Sequence, residues 1–175
     1  MSSIGKSHEK VHYEFRPAKQ VERRMLLHAL QELRAIGYSI SNYEYTGLGS
    51  IYFVDFALFH RYLGLTRMTS VEGDRDVEKR VDFNCPYKLI KVVHDDMSAQ
   101  ISRLSSERHH ILWLDFDSIL TKDLLDAVQL AVAQLSFQSI LLITVDVEPQ
   151  GRPEDGLTRW NRTIWMRPYR EEAGA

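Results

Sequence analysis

Five short polar clusters each follow a β-prone run in this chain: Thr46-Gly47-Leu48-Gly49, Glu72-Gly73-Asp74, His94-Asp95-Asp96, Asp115-Phe116-Asp117 and Asp146-Val147-Glu148. A strand that turns at Gly-x-Gly into a helix lets backbone approach a ligand and aims helix N–H groups at it. The same two glycines can also serve only as a tight turn, so the later clusters carry the weight. Glu72 follows Gly49 by 23 residues. At the end of the next strand, a carboxylate can accept hydrogen bonds from two ribose hydroxyls. Asp95 and Asp96 can receive an adenine amino group, or one of them can cap a helix beginning near Ser98. Asp115 and Asp117 follow the most apolar strand, at the mouth of a dry site. Close carboxylates there raise one another's affinity for protons or call for a cation. They can act as a general base, orient a nucleophile or hold Mg²⁺ with water, while Asp117 can also begin the next helix. His94 is a candidate for proton transfer.

The elements that must position these groups can be read from periodicity. Pro17 suits a first helical residue, and Val21, Met25, Leu26, Leu30 and Leu33 recur at helical spacing up to Gly37. Arg16, Lys19, Arg23 and Arg24 accompany this helix, as partner contacts or helix decoration. Strands are expected over 43–48, 68–71, 89–93, 110–114 and 139–145, with helices over 51–63, 76–83, 98–104 and from Thr121 onward. Alternation of this kind implies right-handed βαβ units and an α/β fold with a parallel sheet of about five strands. Ligands of such sheets bind outside the carboxyl ends of the strands, where all five clusters project.

With 175 residues and 44% hydrophobic content, the chain can bury one substantial core. The expected layout is an arm and amphipathic helix over 1–40, the strand-and-helix domain over 41–149 and an Arg-rich tail over 150–175. A net charge of −2 argues against nucleic-acid binding by bulk charge. Cys85 is the single cysteine, which excludes an internal disulfide and a cysteine-based zinc cluster. No apolar run is long enough to span a bilayer, and a cytoplasmic location is expected.

In the order strand, Gly-x-Gly, helix, strand and acidic end, residues 41–148 resemble the Rossmann-like class I S-adenosylmethionine-dependent methyltransferases. The stretches Arg16-Pro17-Ala18-Lys19-Gln20, Thr46 to Phe56 and Asn84-Cys85-Pro86-Tyr87 also resemble an uncharacterised group of bacterial proteins described as O-methyltransferases. The resemblance implies S-adenosylmethionine as cofactor, with Thr46, Gly47 and Gly49 at its methionine part, Glu72 on its ribose, and Asp95 and Asp96 near its adenine. It implies Asp115 facing the transferred methyl, with Asp117 and His94 as further catalytic candidates. Three positions depart from the family pattern. Tyr45 stands where an acidic residue is usual, Ile51 replaces a third glycine, and Leu114-Asp115-Phe116-Asp117 lacks the Asp/Asn-Pro-Pro-aromatic signature of amino-methylating members. An oxygen acceptor, small or macromolecular, is therefore expected.

Family members normally continue past the fifth strand with an antiparallel pair, for which 150–175 is too short and too poor in alternating apolar residues. The expectation is that this pair is missing and that Trp160 and Trp165, a second copy or a partner chain covers the fifth-strand edge. Two rival readings remain. Leu112 to Thr121 is similar to the Asp-x-Asp motif of haloacid-dehalogenase-type phosphatases, with Asp115 as nucleophile and Asp117 as acid/base. A non-catalytic binding module on the methyltransferase fold is the other.

Overall fold

The computed structural model describes residues 17–49, 51–116 and 121–145. Strands β1 (Glu44–Leu48), β2 (Arg67–Val71), β3 (Ile90–Val93), β4 (His110–Asp115) and β5 (Ile140–Thr144) form one sheet in the order β3-β2-β1-β4-β5. Every pairing is parallel. The chain builds outward from β1 through β2 to β3, then returns to place β4 and β5 on the other side. Strand order therefore reverses between β1 and β4, and the fold is Rossmann-like.

Helices α1 (Pro17–Ala35), α2 (Val54–Leu63) and α3 (Glu78–Asn84) cover one face, and α4 (Met97–Ile101) and α5 (Lys122–Gln134) the other. Side chains alternate along β4: Ile111 and Trp113 join the core under α1 to α3, whereas Leu112 and Leu114 join the core under α4 and α5. Burial on both faces explains the unbroken apolar run of this strand. By the same alternation Asp115 belongs to the α1 face. That parity decides which helix can reach it.

The apolar stripe of α1 is narrower than its sequence suggests. Leu26, Leu27, Leu30 and Leu33 pack on the core, but Val21 and Met25 are exposed, at 57% and 67%. The buried row continues instead through Arg23, which is only 2% exposed, and Lys19. Lys19, Arg23, Leu26, Leu30 and Leu33 are spaced by four, three, four and three residues, a single helical stripe whose first two turns are cationic.

Helix α2 begins at Val54 rather than Ile51. Phe53 precedes it in the left-handed region (φ 49°, ψ 33°), fully buried and edge-on to Phe56 at 5.6 Å between ring centres. A bulky residue at positive φ has no signal in sequence, and here aromatic packing holds it. Gly64 closes α2 at φ 73°, its N–H donating to the His60 carbonyl at 3.1 Å. Thr121 caps α5 as expected, accepting from the Leu124 N–H at 3.3 Å. Strand β5 is an outer strand of the sheet, with Ile143 45% exposed. Trp160, Trp165 and the tail expected to cover that edge lie outside the described residues, as does the question of an antiparallel pair.

Candidate active site

Parallel register brings four strand ends into one row. Gly47 is level with Ser70 and Trp113, and Val71 with Val93. Extending those pairings places His94, Glu72, Gly49 and Asp115 abreast across the rim. Strands lie about 4.8 Å apart, so Glu72 and Asp115 bracket Gly49 at a separation of roughly 10 Å. This spans the reversal point, where open α/β sheets hold their ligands.

Neither glycine of the β1 turn owes its place to a positive φ, since among the described glycines only Gly37 and Gly64 have one. Space is the reason. A Cβ on Gly49 would lie 2.8 Å from Glu72 Oε2 and 2.9 Å from the Val71 carbonyl oxygen. One on Gly47 would lie 2.6 Å from the Tyr45 hydroxyl. The turn is tied down around them. The Gly49 N–H donates to Val71 O, and Asn84 Nδ2 donates to the Ile51 carbonyl at 2.9 Å. Asn84 thus anchors the turn to the end of α3, and Ile51, which the resemblance sets at the place of a third glycine, packs in the core. Thr46 is buried inside β1, with its backbone in the β1–β2 and β1–β4 ladders.

Tyr45 and Asp55 form a buried pair under this turn. The Tyr45 hydroxyl donates to Asp55 Oδ2 from α2, and the two residues are 0% and 8% exposed. Burial pushes the Asp55 carboxyl above the usual carboxylate range, while the Tyr45 hydrogen bond and the Arg23 guanidinium oppose that rise. Burial first, and then the charge of Asp55, push the Tyr45 phenol well above its ordinary value, so it stays protonated and donating. Where the resemblance leads one to expect an acid at position 45, a carboxylate comes to the same place from α2, held by the tyrosine.

At the end of β4, Lys19 Nζ makes an ion pair with Asp115 Oδ1, both side chains about six-sevenths buried at 13% and 14% exposure. Lys19 also stands 3.1 Å from Glu22 Oε2. Glu22 Oε1 accepts from Thr144 Oγ1 at 2.7 Å, and Thr144 accepts from Trp113 Nε1 at 3.0 Å. The first turns of α1 therefore wall the site at β1, β4 and β5. Lys19 and Arg23, expected as partner contacts or helix decoration, instead face the site, and their place on the Leu26-Leu30-Leu33 stripe is the sequence signal for it.

Glu72 leaves β2 beside Gly49, and its Oε1 accepts from the Asp74 N–H at 2.8 Å. The β3 end is built differently. His94 Nε2 lies 2.9 Å from Asp82 Oδ1 of α3, and β2 and β1 separate its strand from β4. It does not join Asp115. Asp96 caps α4, accepting from the Ser98 N–H at 2.7 Å. The Asp96 N–H, at 2.8 Å, and then Arg103, at 2.7 Å, hold the Asp95 carboxyl below the usual carboxylate range. Asp117 lies outside the described residues. Among those described, no three His, Cys, Asp or Glu side chains group as a metal site, and no helix is long and apolar enough to cross a membrane. A hollow of about 230 Å³ opens at the opposite end of the sheet, lined by Ile36, Tyr38, Tyr43, His109 and Gln138 among others. It contains none of the strand-end groups of the rim.

A family model described as "Putative O-methyltransferase" matches residues 11–169. The chain belongs to this family. The match spans the β1 turn, the Glu72 end, the α1 wall and the Asp115 stretch together. The Asp-x-Asp stretch, which suggested a phosphatase, falls within the same match. No curated protein matches the chain.

Proposed function

We propose that this protein transfers a methyl group from S-adenosylmethionine to an oxygen acceptor. The observation that carries the reading is Glu72 set against Gly49 at the reversal point: a carboxylate beside a turn that has no room for a side chain. The residues fit the cofactor. Glu72 would accept hydrogen bonds from the ribose hydroxyls, and the backbone at Gly47 and Gly49 would lie along the methionine part. When bound, the cofactor supplies a methyl on a sulfonium, already activated for displacement.

The protein's share of the chemistry is then alignment and removal of one proton. Asp115, held by Lys19, would take the proton of the acceptor hydroxyl. Proton transfer to Asp115 would leave the acceptor oxygen with the electron pair it needs to take up the methyl that the cofactor supplies. His94 takes no part in this reading, because it lies at the β3 edge with Asp82. The α1 wall, with Lys19 and Glu22 at its inner face, would exclude water from the acceptor side.

Isothermal titration with S-adenosylmethionine and S-adenosylhomocysteine tests the reading. Saturable binding that Glu72→Ala weakens at least tenfold is the expected result. A folded wild-type protein with no heat of binding at millimolar ligand would overturn it.

A further inference from the structure

Tyr45 and Asp55 belong to neither the ribose-binding nor the proton-accepting group, yet they form the most deeply buried polar pair next to the β1 turn. Three observations give them a task. The Tyr45 hydroxyl occupies the space a Gly47 Cβ would need, at 2.6 Å from that position. Asp55 holds this hydroxyl from the first turn of α2, just after the left-handed Phe53 that ends the turn. Tyr45 is clamped edge-on by Phe56 and Phe59, at 4.9 and 5.1 Å between ring centres. The hydroxyl therefore bears on Gly47 from below and links the two ends of the turn, β1 and α2.

We propose that Tyr45 and Asp55 are positioning residues that hold the Gly47–Gly49 turn in its ligand-ready shape before the cofactor arrives. The inference rests on the cofactor reading above and deepens it. A buried polar pair is a costly way to fill space, since an apolar pair of the same shape would pack as well. What it adds over an apolar pair is direction, because the hydrogen bond to Asp55 ties the tip of the Tyr45 ring to α2 and so fixes where the hydroxyl oxygen bears on Gly47. Preorganised backbone spares a ligand the loss of loop freedom on binding.

The test pairs amide hydrogen exchange of Gly47 and Gly49, without ligand, with the affinity for S-adenosylhomocysteine. Tyr45→Phe and Asp55→Leu should each speed exchange at these two amides and weaken binding roughly tenfold. The double variant should be no weaker than the worse single one, because the two act as a unit. Asp55→Asn, which still offers an oxygen to the hydroxyl, should recover most of what Asp55→Leu loses. Ile101→Val, a fully buried site under the opposite face, should lower the melting temperature while leaving both readouts unchanged. Wild-type exchange and affinity in Tyr45→Phe would overturn the inference, and so would Ile101→Val reproducing the Tyr45→Phe effects. Failure of the wild-type protein to bind either nucleoside ligand would sink the cofactor reading instead, and the exchange rates alone would then decide whether the pair holds the turn.

Discussion

The ends of β4 and β3 look alike in sequence, each an apolar run stopped by two acidic residues, but the structure uses them in opposite ways. At β4, Asp115 is mostly buried and meets Lys19 from a helix 96 residues away in sequence. At β3, Asp95 and Asp96 find their partners within eight residues, as a cap and an exposed ion pair with Arg103. Position in the sheet makes the difference. β4 is an interior strand beside the reversal point, whereas β3 is an edge strand whose loop only has to start a short helix. Carboxylates of one residue type become a site or a cap according to what long-range packing brings to them.

The contrast should break most clearly at the glycines. Gly49→Ala would drive a methyl into Glu72 and a backbone carbonyl, and should cost about 1–3 kcal/mol of stability. The same displacement should weaken S-adenosylhomocysteine binding roughly tenfold to hundredfold. Gly73→Ala meets nothing closer than 3.7 Å and should leave both unchanged. Titration calorimetry and urea unfolding on the two variants would check this, and equal behaviour would remove the argument that crowding at β1 shapes the site.

The ion pairs give the next test. Lys19→Met should cost about 1–3 kcal/mol, between the values for exposed and fully buried pairs, because it removes the cation that faces Asp115 in a mostly buried place. Arg103→Met, with its side chain 59% exposed, should give no measurable loss. Chemical denaturation of the two variants side by side would show it.

The smallest expected effect is a difference in pH slope. Asp55 has its carboxyl raised in the folded state, so the folded protein binds more protons than the unfolded chain between the ordinary carboxylate value and the raised one. Its contribution is present below that window and lost as pH rises through it. Asp95 is lowered, so its contribution is present above the ordinary carboxylate value and lost as pH falls through the lowered one. Urea unfolding at stepped pH should show Asp55→Asn removing a falling limb and Asp95→Asn removing a shallower rising limb at acid pH. A falling limb that survives in Asp55→Asn would mean that other groups produce it.

Much of this protein is local, and local features were legible from sequence. The apolar runs of the five strands, the Thr121 cap and the alternation of strand and helix depend on neighbours a few residues apart, so residue order alone determined the parallel α/β sheet and the rim to which the acidic ends project. The same order put Glu72 one strand beyond the glycine turn, since a parallel crossover admits few other arrangements. What only the tertiary structure decided depends on contacts between distant segments. The parity of β4 aimed Asp115 at α1 and made Lys19 and Arg23 part of a buried stripe. Aromatic packing held Phe53 in a left-handed conformation and moved the start of α2 to Val54. Tyr45 stands where the resemblance sets an acid, and the carboxylate beside it comes from Asp55, ten residues on. In each case, desolvation of a charged or polar group is offset only by a partner that folding brings to it, and sequence spacing carries no record of that meeting.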